Sequence, residues 1–431
     1  MLRIKSIHSS KVLSYSSMKI SIIIPTRERA EYLHYAIQTA LEIEDKNLEI
    51  IVCDNASQDN TEVIVKSFSD PRIIYVNTGT RLSMRENFNR ALNESSGDYV
   101  IVFGDDDGIV PKQFKYLRQL LETHRPDGLS WNPATYGWPI AEYGNKSGGV
   151  RFYRHSVYGI PYFYDPKVRN FDALMSCQLN YLTPETPSIY HGCVSRAYLD
   201  RVAPKKGLYI DSVIPDVNFQ YRAILSGGNF LHADHPFSIN GHSPVSNGGA
   251  QKGFAHDDPK AKPAKQFEQE NKSDPYLDIL ENARFVPLAF FATLETVRKR
   301  MGYTIQVPNL TKWYQYVLSQ AQHKSGINEK VNNILLEYAK KTETMPHFEF
   351  AQKNKSVPKR KLGERLTRLK TQLASFRVSA SRDGENTILS AVHIYDDILG
   401  DQYGRVLKAI NTKRVSWKIV RKRSKAFIRQ L

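Results

Sequence analysis

Cysteine is nearly missing from this 431-residue sequence: only Cys53, Cys177 and Cys193 occur, none in CxxC spacing. That excludes a disulfide framework and a cysteine-built zinc site, and makes a reducing cytoplasm the expected compartment. Long apolar runs are missing too, since stretches such as Phe285 to Leu294 fall well short of the roughly 20 residues that cross a bilayer. Any membrane contact is therefore expected to be peripheral, on the inner face of the cell membrane. Residues 1–17 are polar and basic without an apolar core, unlike a signal peptide, and read as an N-terminal extension. Acids are scarce relative to bases, 44 against 60, leaving a formal charge of +16. Such a charge favours an anionic partner such as a nucleotide, a phospholipid surface or a nucleic acid. No aromatic RNA-reading motif accompanies it, so nucleic acid is not the expected partner.

What is present reads as a globular α/β protein, with 41% apolar and 24% charged residues. The length suits one catalytic domain with an appended region. Lys19 to Ile24 is a continuous apolar, β-branched run closed by Pro25, the pattern of a buried parallel strand. Helical spacing follows over Glu31 to Leu41, then a strand over Leu48 to Cys53, a helix over Asp59 to Phe68, and a strand over Arg72 to Val76. A helix over Arg85 to Asn93, stopped by Gly97, precedes the strand Asp98 to Phe103. Strands alternating with helices imply a mainly parallel sheet flanked by helices, whose ligands bind beyond the carboxyl ends of the strands. Three polar clusters fall at those ends: Pro25-Thr26-Arg27-Glu28-Arg29, Asp54-Asn55 and Asp105-Asp106-Asp107. The aromatic, Gly/Pro-rich stretch from about 127 to 249 offers ring faces suited to sugars. A boundary is expected near 260, giving a catalytic domain over 18–260 and a helical, basic region over 261–431.

Three consecutive carboxylates at a sheet edge raise one another's pKa, a conflict that a divalent cation resolves. Oxygen ligands suit Mg²⁺ or Mn²⁺, which share coordination with substrate phosphates; the alternative is a solvated acidic turn. Asp54 can accept hydrogen bonds from a base or ribose, or else cap the next helix. Arg27, Arg29 and Arg85 are candidate phosphate donors, although arginines on a basic protein are mostly solvated.

SIIIPTRER, EIIVCDNASQDNT and SSGDYVIVFGDDDGIVP resemble, in order, the opening strand and loop, the acidic turn and the DxD strand of family 2 glycosyltransferases. The resemblance implies the GT-A fold, a nucleotide-sugar donor, probed first as a UDP-sugar, and a saccharide or lipid-linked acceptor. It also implies inverting transfer and a metal at Asp105 to Asp107. Gly104 stands where many members have the first acid of the motif, and Asn55 where they have a second Asp. IPDVNFQYR resembles the family's acidic base followed six residues later by Arg, which maps onto Asp216 and Arg222, with Pro215 replacing a Glu and Asp211 in reserve. SINGHSPVSNGG resembles the late segment over the donor phosphates and makes His242 a candidate there, beside a weaker one at His191.

Two basic stripes close the chain. Leu362, Leu366, Leu369, Leu373 and Phe376 share a helical face, and Trp417, Val420, Phe427 and Leu431 form another among eight basic residues within Lys413 to Arg429. They would lie on an anionic membrane, pack on the catalytic domain, or join copies of the chain as a homo-oligomer. Two other classes fit less well. A sugar-nucleotide pyrophosphorylase needs a Gly-rich basic loop directly after the first strand, where this chain has PTRER. A non-catalytic sugar or polyanion binder would have no need to retain three acids.

Overall fold

The computed structural model describes residues 18–140, 147–153, 156–178, 185–244, 269, 285–303, 306–322, 326–354, 375–408 and 422. The expected alternation is present. Strands β1 (Ile20–Thr26), β2 (Leu48–Asp54), β3 (Ile73–Asn77) and β4 (Tyr99–Val102) are separated by α1 (Ala30–Leu41), α2 (Thr61–Ser67) and α3 (Met84–Glu94). β1 and β2 are buried along nearly their whole length, which is why continuous apolar runs specify them. α3 opens on a capping box in which Ser83 and Glu86 satisfy each other's backbone N–H groups.

After β5 (Gly108–Ile109) come α4 (Pro111–His124), β6 (Gly128–Trp131), β7 (Ala134–Gly137), β8 (Gly149–Tyr153), β9 (Tyr162–Tyr164) and α5 (Pro166–Met175). The chain continues through β10 (Gly192–Ser195), α6 (Arg196–Val202), α7 (Pro215–Ser226), β11 (Phe230–Ala233) and β12 (Ser238–His242). Helices α8 (Val286–Arg300), α9 (Leu310–Ala321), α10 (Ile327–Lys341) and α11 (Met345–Lys353) follow. β13 (Ser375–Ser379), α12 (Ile388–Leu399) and α13 (Gln402–Lys408) come last.

The main sheet has eight strands in the order β3-β2-β1-β4-β10-β6-β11-β9. β1 to β4 pair in parallel. β10 runs antiparallel to both β4 and β6, and β11 is parallel to β6. Six strands therefore deliver their carboxyl ends to one edge, and β10 starts from that same edge. A second sheet, β13-β8-β7-β12-β5, stands beside it.

One core packs α1, α4, α12 and α13 against the two sheets, and includes Val378, Ile388, Val392, Tyr395, Leu399 and Tyr403. A second joins α5 and α7 to α8 through α11 around Phe291, Trp313 and Tyr314. A third fills the other face of the main sheet under α3, α6 and α7. The late region is thus helical over 286–353, as expected, but returns as a strand and two helices to the first core. Phe376, expected in a helical stripe, lies in β13. Leu362, Leu366, Leu369 and Leu373 fall outside the described residues, as do residues 1–17 and most of Lys413 to Arg429.

Candidate active site

The Asp triplet follows β4 directly and is buried throughout. Each carboxylate meets a different part of the chain. Asp105 accepts from Thr26 Oγ1 at 2.8 Å and from Arg29 Nη1 at 2.9 Å, so the loop after β1 is tied to the loop after β4. Burial opposes the Arg29 charge, but Asp105 and Asp106 hold it firmly protonated. Asp106 accepts from the Ser243 hydroxyl at 2.5 Å and its N–H at 3.2 Å, both through Oδ2. Asp107 Oδ2 accepts from Tyr190 OH at 2.6 Å and Gly104 N at 2.7 Å, and its Oδ1 from Gly241 N at 2.7 Å. His191 Nε2 stands 3.2 Å from Asp107 Oδ2, off the line of a hydrogen bond.

These partners set two different charge states. Burial and the carboxylates of Asp107 and Asp105 push the Asp106 carboxyl up to about 7, against the pull of Arg29 and Ser243. Burial also works against the Asp107 charge, but His191, Tyr190 and the Gly241 N–H outweigh it and hold that carboxyl below its ordinary value. Burial and Asp107 raise the Tyr190 phenol far above its usual range, which keeps it a donor. Asp107 is thus a saturated anchor. Asp106 keeps Oδ1 outside these hydrogen bonds, and its unfavourable charge suits a cation. Mg²⁺ and Mn²⁺ are commonly held by one or two carboxylates, waters and substrate phosphates, so Asp106 with Asp105 beside it fits such an ion. Among the described residues no group of three or more His, Cys, Asp or Glu is assembled as an all-protein metal cage.

Space explains Gly104. A Cβ there would stand 2.5 Å from Tyr190 OH and 3.0 Å from Asp107 Oδ2, so no acidic side chain fits at 104. A Cβ at Gly241 would stand 1.8 Å from the Asp106 carbonyl oxygen, which accepts from Trp138 Nε1 at 3.1 Å. β12 can therefore approach the triplet only with glycine at 241.

The other predicted residues divide. Asp54 is buried and its carboxylate accepts from Ser57 N, Tyr75 OH and Asn77 Nδ2 at 2.7 to 3.0 Å, which holds the turn after β2, while the residue that opens α2 is Asn60. Asn55 clamps the loop after β3, exchanging hydrogen bonds with Leu82 N and O. Glu28, at φ 52°, accepts from Gln58 N and pairs with Arg81. Pro25 and Thr26 sit in register opposite Cys53 and Asp54, and Arg27 is half-buried beside them. Arg85 is buried in the first turn of α3, 3.5 Å from Glu86 Oε1. His242 is exposed on β12 between Gly241 and Ser243, the two residues that hold the triplet. Asp216 is half-buried at the second position of α7, and burial raises its carboxyl above the ordinary value.

Arg222 and Asp211 are both buried and bonded to each other at 2.6 Å, with Asn218 also donating to Asp211. This buried pair ties α7 to the segment before it. Tyr190 and Ser243 escaped the sequence reading altogether. Ser243 lay beside His242 in a segment already singled out, whereas nothing local marks Tyr190.

The sequence profile of "Glycosyl transferase family 2" matches residues 21–179. Among curated proteins, abequosyltransferase RfbV of Salmonella typhimurium is 34% identical over 112 residues, 25% of this chain and 33% of that one. The GalNAc(5)-diNAcBac-PP-undecaprenol beta-1,3-glucosyltransferase of Campylobacter jejuni is 35% identical over 104 residues, 23% of this chain and 34% of that one. This chain thus spans about a third of the length of these relatives. S. aureus TarS 1-349 in complex with UDP-GlcNAc superposes over 82% of this chain and 93% of that one, at 15% identity and a TM-score of 0.43. Residues 21–179 are thus similar to glycosyl transferase family 2, the family that the sequence motifs resemble.

Proposed function

We propose that this chain is an inverting glycosyltransferase that moves a sugar from a nucleotide donor, a UDP-sugar first, to a hydroxyl of a polysaccharide or lipid-linked saccharide. The observation that carries this reading is Asp106: a buried carboxyl pushed up to about 7, with one oxygen left for a ligand, at the strand edge of a family 2 region. Asp106 and Asp105 would hold Mn²⁺ or Mg²⁺, and His242 would face the same ligand. Bound there, the ion would neutralise charge on the departing diphosphate. Thr26 and Arg29 orient Asp105, Ser243 orients Asp106, and the clamped loops carrying Asn55 and Glu28 shape the nucleotide side. Arg27 and Arg85 would be further phosphate donors. A lipid-diphosphate acceptor is the class in the printed name of the C. jejuni relative, and the basic C-terminal segment would dock it at an anionic surface. No helix among the described residues is long and apolar enough to cross a membrane.

Displacement at the anomeric carbon also needs a base on the acceptor hydroxyl. Asp216 is assigned that role. α7 leads into β11 through residues 227–229, and Asp216 stands in its first turn. A raised carboxyl pKa suits a base, which acts only when ionised, so activity should climb as pH passes upward through the Asp216 value. Asp216→Asn should lower kcat by about 10²–10⁴-fold while UDP binding with Mn²⁺, measured by calorimetry, stays within twofold. Retained turnover would remove the base assignment.

The donor itself is open to a direct screen. UDP-, GDP- and dTDP-sugars, each with and without Mn²⁺, should give one metal-dependent rise in melting temperature accompanied by donor hydrolysis. A shift without hydrolysis for any donor would favour a non-catalytic sugar binder.

A further inference from the structure

Asp107 is held by groups that reach it from far along the chain, and one of them is itself held from behind. His191 is buried and sits at φ 50°, a left-handed conformation that costs a non-glycine residue free energy and persists only where surrounding contacts impose it. Those contacts are visible. Its N–H bonds to Val102 O at 2.9 Å, and Val102 N–H bonds to Ile189 O at 3.0 Å, so residues 189–191 are laced to the end of β4 immediately before the triplet. Gly192 then makes the turn, since a Cβ there would stand 2.0 Å from Ser188 O.

The imidazole is oriented by a relay. Trp131 Nε1–H can only donate, and it donates to Ser238 Oγ at 2.8 Å. The Ser238 hydroxyl hydrogen is then available for His191 Nδ1 at 2.9 Å. With Nδ1 accepting, the ring N–H sits on Nε2, which faces Asp107 Oδ2 at 3.2 Å in a close polar contact that falls short of hydrogen-bond geometry.

We propose that His191 is a positioning residue for the donor site: the Trp131–Ser238 relay fixes its Nε2–H tautomer against Asp107. Anchored in this way, Asp107 sets β12, and with it Ser243 and His242, against Asp106. This inference rests on the donor-site reading above. Groups standing behind ligand-binding residues typically change metal affinity or activity by about 10–100-fold when removed, and His191 belongs to that range although it does not touch the substrate.

The test uses the full chain with UDP and Mn²⁺ in a calorimeter, alongside steady-state kinetics with the donor identified by the screen. His191→Ala should weaken Mn²⁺-dependent UDP binding and lower kcat, each by about 10–100-fold, with KM for acceptor within threefold. His191→Gln, whose amide N–H can replace Nε2–H, should recover most of both. Ser238→Ala, which unseats the tautomer without touching Asp107, should lie between. Equal losses in the Gln and Ala variants, tracking a fall in melting temperature, would assign His191 a merely structural role and overturn the proposal. So would unchanged binding and kcat in His191→Ala. If instead the unmodified chain shows no Mn²⁺-dependent binding of UDP or any other nucleotide, the donor-site reading itself fails.

Discussion

Asp106→Asn should abolish sugar transfer and at the same time make the protein more stable above neutral pH. On the proposed function the loss follows from removing the charge that would hold the metal and diphosphate, while shape and the hydrogen bond from Ser243 are kept, because an amide oxygen still accepts. The gain follows from linkage. Burial and two neighbouring carboxylates raise the Asp106 carboxyl from 3.8 to about 7 in the fold. A carboxyl raised in the folded state binds its proton more tightly there. Its contribution is therefore complete below the unfolded value and is lost as pH rises through 7. At pH 8 the unmodified protein carries a buried, poorly compensated charge that the amide lacks. Thermal unfolding should show the variant melting higher by ~2 °C or more at pH 8, with the gap narrowing at pH 5. Mn²⁺ with UDP should raise the melting temperature of the unmodified protein and leave the variant unmoved. A variant less stable at pH 8, or one still active, would remove Asp106 from the centre of the site.

The second large effect concerns the end of the chain. Deleting residues from 375 onward should unfold the first core, whereas deleting only 409–431 should leave it intact. Val378, Ile388, Val392, Tyr395, Ile398, Leu399 and Tyr403 are buried in the first core, each contributing roughly 1.5–3 kcal/mol. A handful of such side chains equals the whole margin of about 5–15 kcal/mol that holds a domain folded. α12 also lies on the triplet's own turn: a Cβ at Gly108 would stand 2.8 Å from Val392 Cγ2. Asp396 accepts from Lys112 N and Gln113 Nε2, both at 3.0 Å, capping α4 from a distant part of the chain. Solubility and circular dichroism separate the two deletions. A folded, nucleotide-binding protein ending at residue 374 would contradict this account. The shorter deletion is the one to use on anionic vesicles, where loss of binding would tie membrane docking to the basic tail.

Much of the sheet over β1 to β4 was legible because its signals are local. A buried parallel strand needs an unbroken apolar run, and the four that build β1 to β4 announce themselves within a residue or two. Glycine, proline and acidic turns then mark the strand ends. The site's closing contacts are not local. Tyr190, Ser243 and Gly241 reach Asp106 and Asp107 across more than 80 positions, and no periodicity encodes such a meeting. Arg222 shows the same limit. Its spacing from Asp216 resembles a catalytic pattern, but only the fold reveals Asp211 waiting beside it as a buried partner. The return of residues 375–408 was hidden because β13 is a single edge strand whose pairing with β8 is specified mostly by the elements around it.

That late return has a bearing on how the protein is made. Asp396 meets Lys112 across 284 positions, so at ~5–20 residues per second the ribosome takes roughly 15 to 60 s to deliver the partner of a segment already outside the tunnel. Throughout that interval one edge of β8 is unpaired and the apolar face over α4 is bare. A nascent chain in this state is a natural client for a holding chaperone, and the second, helical core around Trp313 has time to condense before the first is closed.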